Sequence, residues 1–353
     1  MKVRNIPFSP PDITEKEINN VVEVLQSGWI TTGPKTKEFE RQLAEFMGTE
    51  KVVCLNSATA ALELALRVLG VGPGDEVIVP AFTYTASCSV IEHVGATPVM
   101  VDIQEDHFEM NYDALEAAIT EKTKVVIPVE LAGVPCDYRR IFEVVESKRS
   151  LFKPKTNLQR HFNRIVVVSD CAHAIGTTRE GVSIAQLADF ASFSFHAVKN
   201  LTTAEGGCIT WNPANELDSE AMYKEFQVYS LHGQTKDALA KIKPGSWEYD
   251  IVIPGYKCNM ADVMAAIGLG QLERYPQLLE RRKEIVRQLD AGLAVDSRIQ
   301  VLQHEGENYQ SSRHLYITRI KGASYDQRGE IIIKMAERGI SCNVHYKPLP
   351  LLT

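Results

Sequence analysis

The chain has 353 residues, 44% of them hydrophobic and 24% charged, with a formal net charge of −7 at neutral pH. That length holds two domains, or one large domain with a smaller appendage, and the composition excludes a disordered, collagen-like or disulfide-scaffold chain. The acidic balance argues against a nucleic-acid surface and leaves small-molecule chemistry as the class to pursue.

Residues 1–10 hold no apolar core of a secretion signal, and no uninterrupted apolar stretch approaches membrane-spanning length. The seven cysteines, Cys54, Cys88, Cys136, Cys171, Cys208, Cys258 and Cys342, are scattered and contain no C-x-x-C pair, as expected of reduced thiols. Both features predict a cytoplasmic protein, so the sequon-like Asn200-Leu201-Thr202 carries no weight.

Between Lys51 and Trp211, short β-branched runs alternate with helical patterns, the mark of parallel strands joined by helical crossovers. Strands are predicted at 52–55, 76–79, 98–101, 124–127, 165–168, 190–193 and 208–211, which makes one large, mainly parallel seven-stranded sheet. Behind the first strand, Leu62, Leu66 and Leu69 recur at helical spacing, with Ser57 or Thr59 as N-cap and Gly70 at the stop position. The glycines of Gly70-Val71-Gly72-Pro73-Gly74-Asp75 mimic a dinucleotide fingerprint. They follow a helix and precede a strand, the reverse of the order that motif requires, and so read as a turn.

The basic stretch 148–164 either steers a phosphorylated substrate or forms a solvated helix–strand connection, and the second reading is preferred. Beyond Trp211 the expected elements are a helix near 216–229, a Gly/Pro segment at 243–255 and a long amphipathic helix at 261–289 with Gly292 beyond it. Strands at 315–320 and 340–345 then flank a helix at 326–338. This divides the chain into an N-terminal arm with a large domain (1–250) and an interdomain helix with a small α+β domain (251–353). The apolar ending at 347–353 reads as a domain cut short.

The chemistry centres on the run from Ser192 to Gly207, where Lys199 follows an apolar strand and stands among small, hydroxylated and glycine residues. An amine that must form an imine needs partial desolvation and little bulk around it. Pyridoxal phosphate (PLP) is the cofactor that such a lysine suggests. It imposes three further demands: an acid for its pyridine nitrogen, an anion site for its phosphate and a flat group against its ring. Asp170 ends a strand at the carboxyl edge, where ligands of parallel sheets sit, and suits the nitrogen. His173 stands ready either to hydrogen-bond that carboxylate or to pack on the cofactor. Ser57 to Thr59 lie at a strand-to-helix turn where free N–H groups and the helix dipole favour phosphate, and the Ser194 hydroxyl adds to that site. In the loop after the second strand, Phe82 and Tyr84 are the aromatics, and Tyr84 is chosen as the stacking ring. No histidine or cysteine spacing indicates a metal site.

These motifs, together with Gly28 to Pro34, Gly95 to Val99 and Pro254-Gly255-Tyr256-Lys257-Cys258-Asn259, resemble the DegT/DnrJ/StrS sugar-nucleotide aminotransferases of the aspartate-aminotransferase fold (fold type I) along nearly the whole chain. The versions at Lys199 and Asn259 are similar to the branch that makes UDP-4-amino-4-deoxy-L-arabinose. The resemblance implies transfer of an amino group from L-glutamate to a nucleoside-diphosphate keto-sugar at C4, yielding 2-oxoglutarate. It implies PLP held covalently by Lys199, with Asp170, His173, Tyr84, Ser57, Ala58, Thr59 and Ser194 around it, and a homodimer in which Asn259 reaches the partner's phosphate. Thr31, Thr32, His232 and His345 resemble substrate-approaching positions. The alternatives are a sugar 3-aminotransferase, a dehydratase, a non-catalytic binding protein of the same fold and a nucleotide oxidoreductase. Lys199 argues against dehydration, because relatives with that activity carry histidine there.

Overall fold

The computed structural model describes residues 4–236 and 248–353, so the 243–247 part of the expected Gly/Pro segment lies outside the described residues. The main sheet is built from β1 (Val52–Leu55), β2 (Glu76–Pro80), β3 (Thr97–Val101), β4 (Thr123–Val126), β5 (Val166–Asp170), β8 (Phe190–Ser194) and β9 (Gly207–Trp211). Between β5 and β8 lie the short β6 (Thr178–Arg179) and β7 (Val182–Ser183), which pair outside it. The spatial order is β1-β9-β8-β5-β4-β2-β3.

All seven predicted strands exist, within about two residues at each end. The sheet is mainly parallel, as expected; the exception is β9, which runs antiparallel to both of its neighbours, β1 and β8. A parallel return requires a crossover element, whereas residues 195–206 hold only the lysine loop.

Helices cover both faces of the sheet, which explains why the strands read as continuous apolar runs. Alternation still sorts the side chains. Ile78, Val126 and Val167 join one core cluster with Phe39 and Leu43. Val77, Val79, Val166 and Val168 join the other with Leu62 and Trp211. The glycine turn forms as expected: Gly70 and Gly74 adopt φ of +73° and +85°, and the Asp75 carboxylate accepts from Gly72 N at 3.1 Å. In the basic stretch, Lys148 pairs with Glu116, Lys155 with Asp75 and Arg164 with Asp189, so its charges neutralise acids of the same chain.

Two N-terminal helices not predicted from the sequence, Glu15–Ser27 and Pro34–Met47, lie against the long helix Asp262–Leu293. The buried Asp262 carboxylate accepts from Gly33 N (2.7 Å), Thr36 N (2.9 Å) and Thr36 Oγ1 (2.7 Å), which caps the second helix from outside its own sequence. That long helix runs through Gly292, which therefore does not stop it.

A correction falls near the end of the chain. Residues 340–345 form no strand, and Ile340 makes a single bridge to Ile6. The partner of Thr318–Ile320 is Ile299–Val301, which the sequence reading missed. Ser341, Cys342 and Asn343 interrupt the apolar alternation that a strand there would need.

Glu40 couples the second helix to the sheet: it accepts from Cys54 N at 2.8 Å and from Tyr223 OH at 2.6 Å. Burial raises its pKa from 4.5 to about 7, and the same cause raises that of Glu130 to about 7. Each keeps a proton when folded that the unfolded chain releases between those values. The stability present below pH 4.5 is therefore lost as pH rises to 7. Glu40→Gln keeps an acceptor for Cys54 N and turns an amide N–H toward the Tyr223 hydroxyl, reversing that hydrogen bond. Between pH 4.5 and 8 it should remove up to roughly 3 kcal/mol of the pH-dependent loss, about half of what the two groups cause together. Chemical denaturation at both pH values checks this, and an unchanged slope would refute it.

Candidate active site

The strand-end residues converge where β5 and β8 run side by side, with Asp170 in register with Ser192. Asp170 is 6% exposed and accepts from Ser87 Oγ at 2.7 Å and from Ala172 N at 3.1 Å. Burial raises its pKa, opposed by those two donors and by Lys199. Among the described residues no arginine or lysine forms an ion pair with it. A buried acid without a cationic partner meets the need of a protonated pyridine nitrogen.

Lys199 follows a turn closed by its own N–H to His196 O at 2.8 Å. Burial pulls its amine from 10.5 down to about 8, and the Asp170 charge resists that fall. An amine poised there has a large unprotonated fraction near neutral pH, as carbonyl condensation requires.

The anion site forms from backbone. Ser57 is the N-cap of helix Ala58–Val68, with its Oγ accepting from Ala60 N at 3.0 Å, which settles the choice between Ser57 and Thr59. Gly207 lies against this turn so closely that a Cβ there would stand 2.3 Å from Ala58 N and 2.4 Å from Ser57 C. A glycine is thus required for β9 to bring the helix start beside the lysine loop. Ser194 is nearly buried at the end of β8, and Ser192 Oγ donates to Ala58 O at 3.2 Å, joining the two elements. The helix start at 57–59 and Ser194 at the end of β8 are thereby brought beside one another.

His173 does not hydrogen-bond Asp170. Its Nδ1 accepts from Ala132 N at 3.2 Å, which in the neutral ring puts the proton on Nε2, 3.4 Å from Tyr346 OH. Its ring lies 4.3 Å from that of His314. Asn200 Nδ2 donates to Ser312 O at 2.8 Å, so Asn200 Oδ1 accepts from His314 Nδ1–H, also at 2.8 Å. Burial and the Lys199 charge hold both histidines well below the ordinary range, aided at His173 by the His314 ring and at His314 by the Arg282 charge, so both are neutral.

Ser87, Asn200, His314 and Tyr346 are site residues that sequence reasoning missed. Ser87 stands within a motif that suggested only its aromatics. Asn200 is the neighbour of Lys199, and His314 and Tyr346 carry no local signal at all.

Tyr84 precedes helix Thr85–His93, is 60% exposed and lies 6.0 Å from the Tyr346 ring. His345 stacks on Phe8, and burial and the Lys199 charge lower its pKa, which brings it to the site. Thr31, Thr32 and Asn259 form a separate group. Asn259 Nδ2 donates to Thr32 Oγ1, Asn259 bridges to Leu55 beside the Ser57 turn, and Thr31 O accepts from Asp262 N at 3.1 Å. His232 is exposed with φ +59°, its N–H bonded to Tyr256 O, and no contact joins it to Lys199. The described cavities, of about 620 and 160 Å³, include none of these residues.

A sheet of this order that sets a desolvated lysine against a buried acid is the architecture of fold type I PLP enzymes. Within that class, the chain belongs to the DegT/DnrJ/EryC1/StrS aminotransferase family, which it matches over residues 11–353. It is 38% identical to the spore coat polysaccharide biosynthesis protein SpsC of Bacillus subtilis, across 98% of this chain and 84% of that protein. The PMP-form structure of Spr1654 from Streptococcus pneumoniae, assigned as a sugar aminotransferase, superposes with a TM-score of 0.96 at 68% identity, covering 99% of this chain and 87% of the other. The same protein is also known in a PLP form. PseC of Helicobacter pylori, an aminotransferase of pseudoaminic acid biosynthesis, superposes at 0.85 with 27% identity, covering 99% and 86%. PLP is thus the cofactor of this enzyme, and the residues around Lys199 fit it.

Proposed function

We propose that the enzyme transfers the amino group of L-glutamate to the C4 keto carbon of a nucleoside-diphosphate-linked sugar, releasing 2-oxoglutarate and an amino-sugar nucleotide. The observation that carries this reading is that a desolvated Lys199, the buried Asp170 and the Ser57 turn stand intact at one sheet edge. A binding protein of the same fold has no need for a lysine tuned to about 8. Relatives named for polysaccharide and pseudoaminic acid biosynthesis support a sugar as amino acceptor.

Bound PLP supplies an electron sink for the carbon that gives up or receives a proton. Lys199 Nζ removes the proton from the amine-bearing carbon of glutamate. In the second half of the cycle it delivers one to the sugar carbon that gains nitrogen. Asp170, steadied by Ser87, would supply the negative charge that keeps the ring nitrogen protonated. Residues 57–59 and Ser194 would hold the phosphate, and Tyr84 and His173 would lie against the ring. Asn259 faces a second subunit in a cytoplasmic homodimer and reaches that subunit's phosphate. Thr31, Thr32, His232 and His345 approach the substrate.

The test is a panel of keto-sugar nucleotides with glutamate. The visible band of the loaded protein should bleach on adding glutamate and return with one acceptor, and product NMR should place nitrogen at C4. Nitrogen at C3, loss of a hydroxyl without amination, or a band that glutamate leaves untouched would each refute the assignment.

A further inference from the structure

Residues 6–9 touch two walls of the site at once. Ser9 Oγ donates to the carbonyl of Val198, the residue before Lys199, at 3.0 Å. Phe8 stacks on the His345 ring with centroids 5.7 Å apart and planes 14° from parallel. Ile6 adds backbone bonds to the same region, its N–H to Gly339 O at 2.6 Å and its carbonyl to Ser341 N at 3.1 Å.

The segment these residues hold cannot hold itself. Residues 340–348 have no helix or strand, and the next anchor is Leu349 N to Ala81 O at 2.8 Å. A stretch without a hydrogen-bond ladder takes its position from its few outside contacts, and its local stability is correspondingly low. Yet its middle lines the site: Tyr346 stands 3.4 Å from His173 Nε2 and 6.0 Å between rings from Tyr84. A flat ring lying on an imidazole removes rotamers from it at small entropic cost, because Phe has only two torsions to fix.

We infer that Phe8 and Ser9 are positioning residues. Phe8 sets the plane of His345, and Ser9 holds the backbone ahead of Lys199, so that residues 6–9 fix the spacing between the acid–base lysine and the His345–Tyr346 wall. Binding geometry at the acceptor side then depends on a segment far from either residue in the chain. The kinetic part of this inference rests on the transaminase reading above, whereas the structural part does not.

The experiment therefore has two arms. In the full chain without cofactor, hydrogen–deuterium exchange of peptides covering 339–349 should quicken by at least about fivefold in Phe8→Ala and in Phe8→Leu. Ser9→Ala should quicken peptides covering 196–201 instead. In the loaded enzyme, Phe8→Ala should raise KM for the amino acceptor about tenfold while kcat falls less than about threefold, and Phe8→Trp, which keeps a flat face, should restore KM. Phe8→Leu retains apolar volume without that face, so it decides the question if the alanine variant is unstable. Exchange equal to wild type, an unchanged KM, or Trp as impaired as Leu would overturn the inference. A wild-type enzyme that aminates no sugar would sink the functional reading and leave the exchange arm to decide this one.

Discussion

Lys199→Ala is expected to give a protein that retains PLP only by reversible contacts, lacks the visible band of the lysine adduct and turns over at least about a thousandfold more slowly. No other described lysine combines burial with this strand-end position. Lys124 is also buried, but its Nζ bonds to Glu121 O at 3.0 Å, away from the Asp170 group. Free lysine would be almost fully protonated at pH 7.5. At position 199, with a pKa near 8, roughly a quarter of the amine is free at that pH. Capture of PLP by the apo protein should therefore accelerate as pH rises through about 8 and level off above it. Following the band by stopped-flow mixing gives both results. Capture whose rate is flat from pH 7 to 9, or an alanine variant with turnover within tenfold of wild type, would contradict the assignment.

Asp170→Asn should separate binding from chemistry. The variant should still form the lysine adduct, because Lys199 and the Ser57 turn are untouched, but the glutamate half-reaction should slow by about a hundred- to a thousandfold. The size follows from electrostatics. A carboxylate about 4 Å from a cation contributes about 4 kcal/mol at an effective dielectric of 20, and each 1.4 kcal/mol is a factor of ten. A neutral amide cannot hold a proton on the ring nitrogen, so that contribution is lost in the step where charge develops. Single-turnover bleaching by glutamate measures it directly. A rate within threefold of wild type would mean that Asp170 serves only to cap the turn at Ala172.

The strands were legible because each is a short apolar run between turn signals, and Asp170, Ser57 and Lys199 stood out because each lies at the end of one or in the loop just beyond it. A strand end followed by a small or polar residue is a local pattern, and parallel sheets place their ligands at such ends. Ser57 as N-cap and Gly70 at the helix stop follow from the same local chemistry. Direction was not local. Nothing in 208–211 distinguishes a parallel from an antiparallel strand, and only the connection through 195–206 decides it.

Sequence by itself determined the family and its cofactor, and it supplied the lysine, acid and helix-start turn proposed to hold that cofactor, because those features are written in neighbouring residues and their spacing. Tertiary structure alone decided which distant groups complete the site. Ser87 reaches Asp170 from 83 positions away, and His314 reaches Asn200 across 114. Contacts of that kind obey no period. They exist because two elements pack on one sheet edge, where burial drives the lysine amine and both imidazoles toward their uncharged forms.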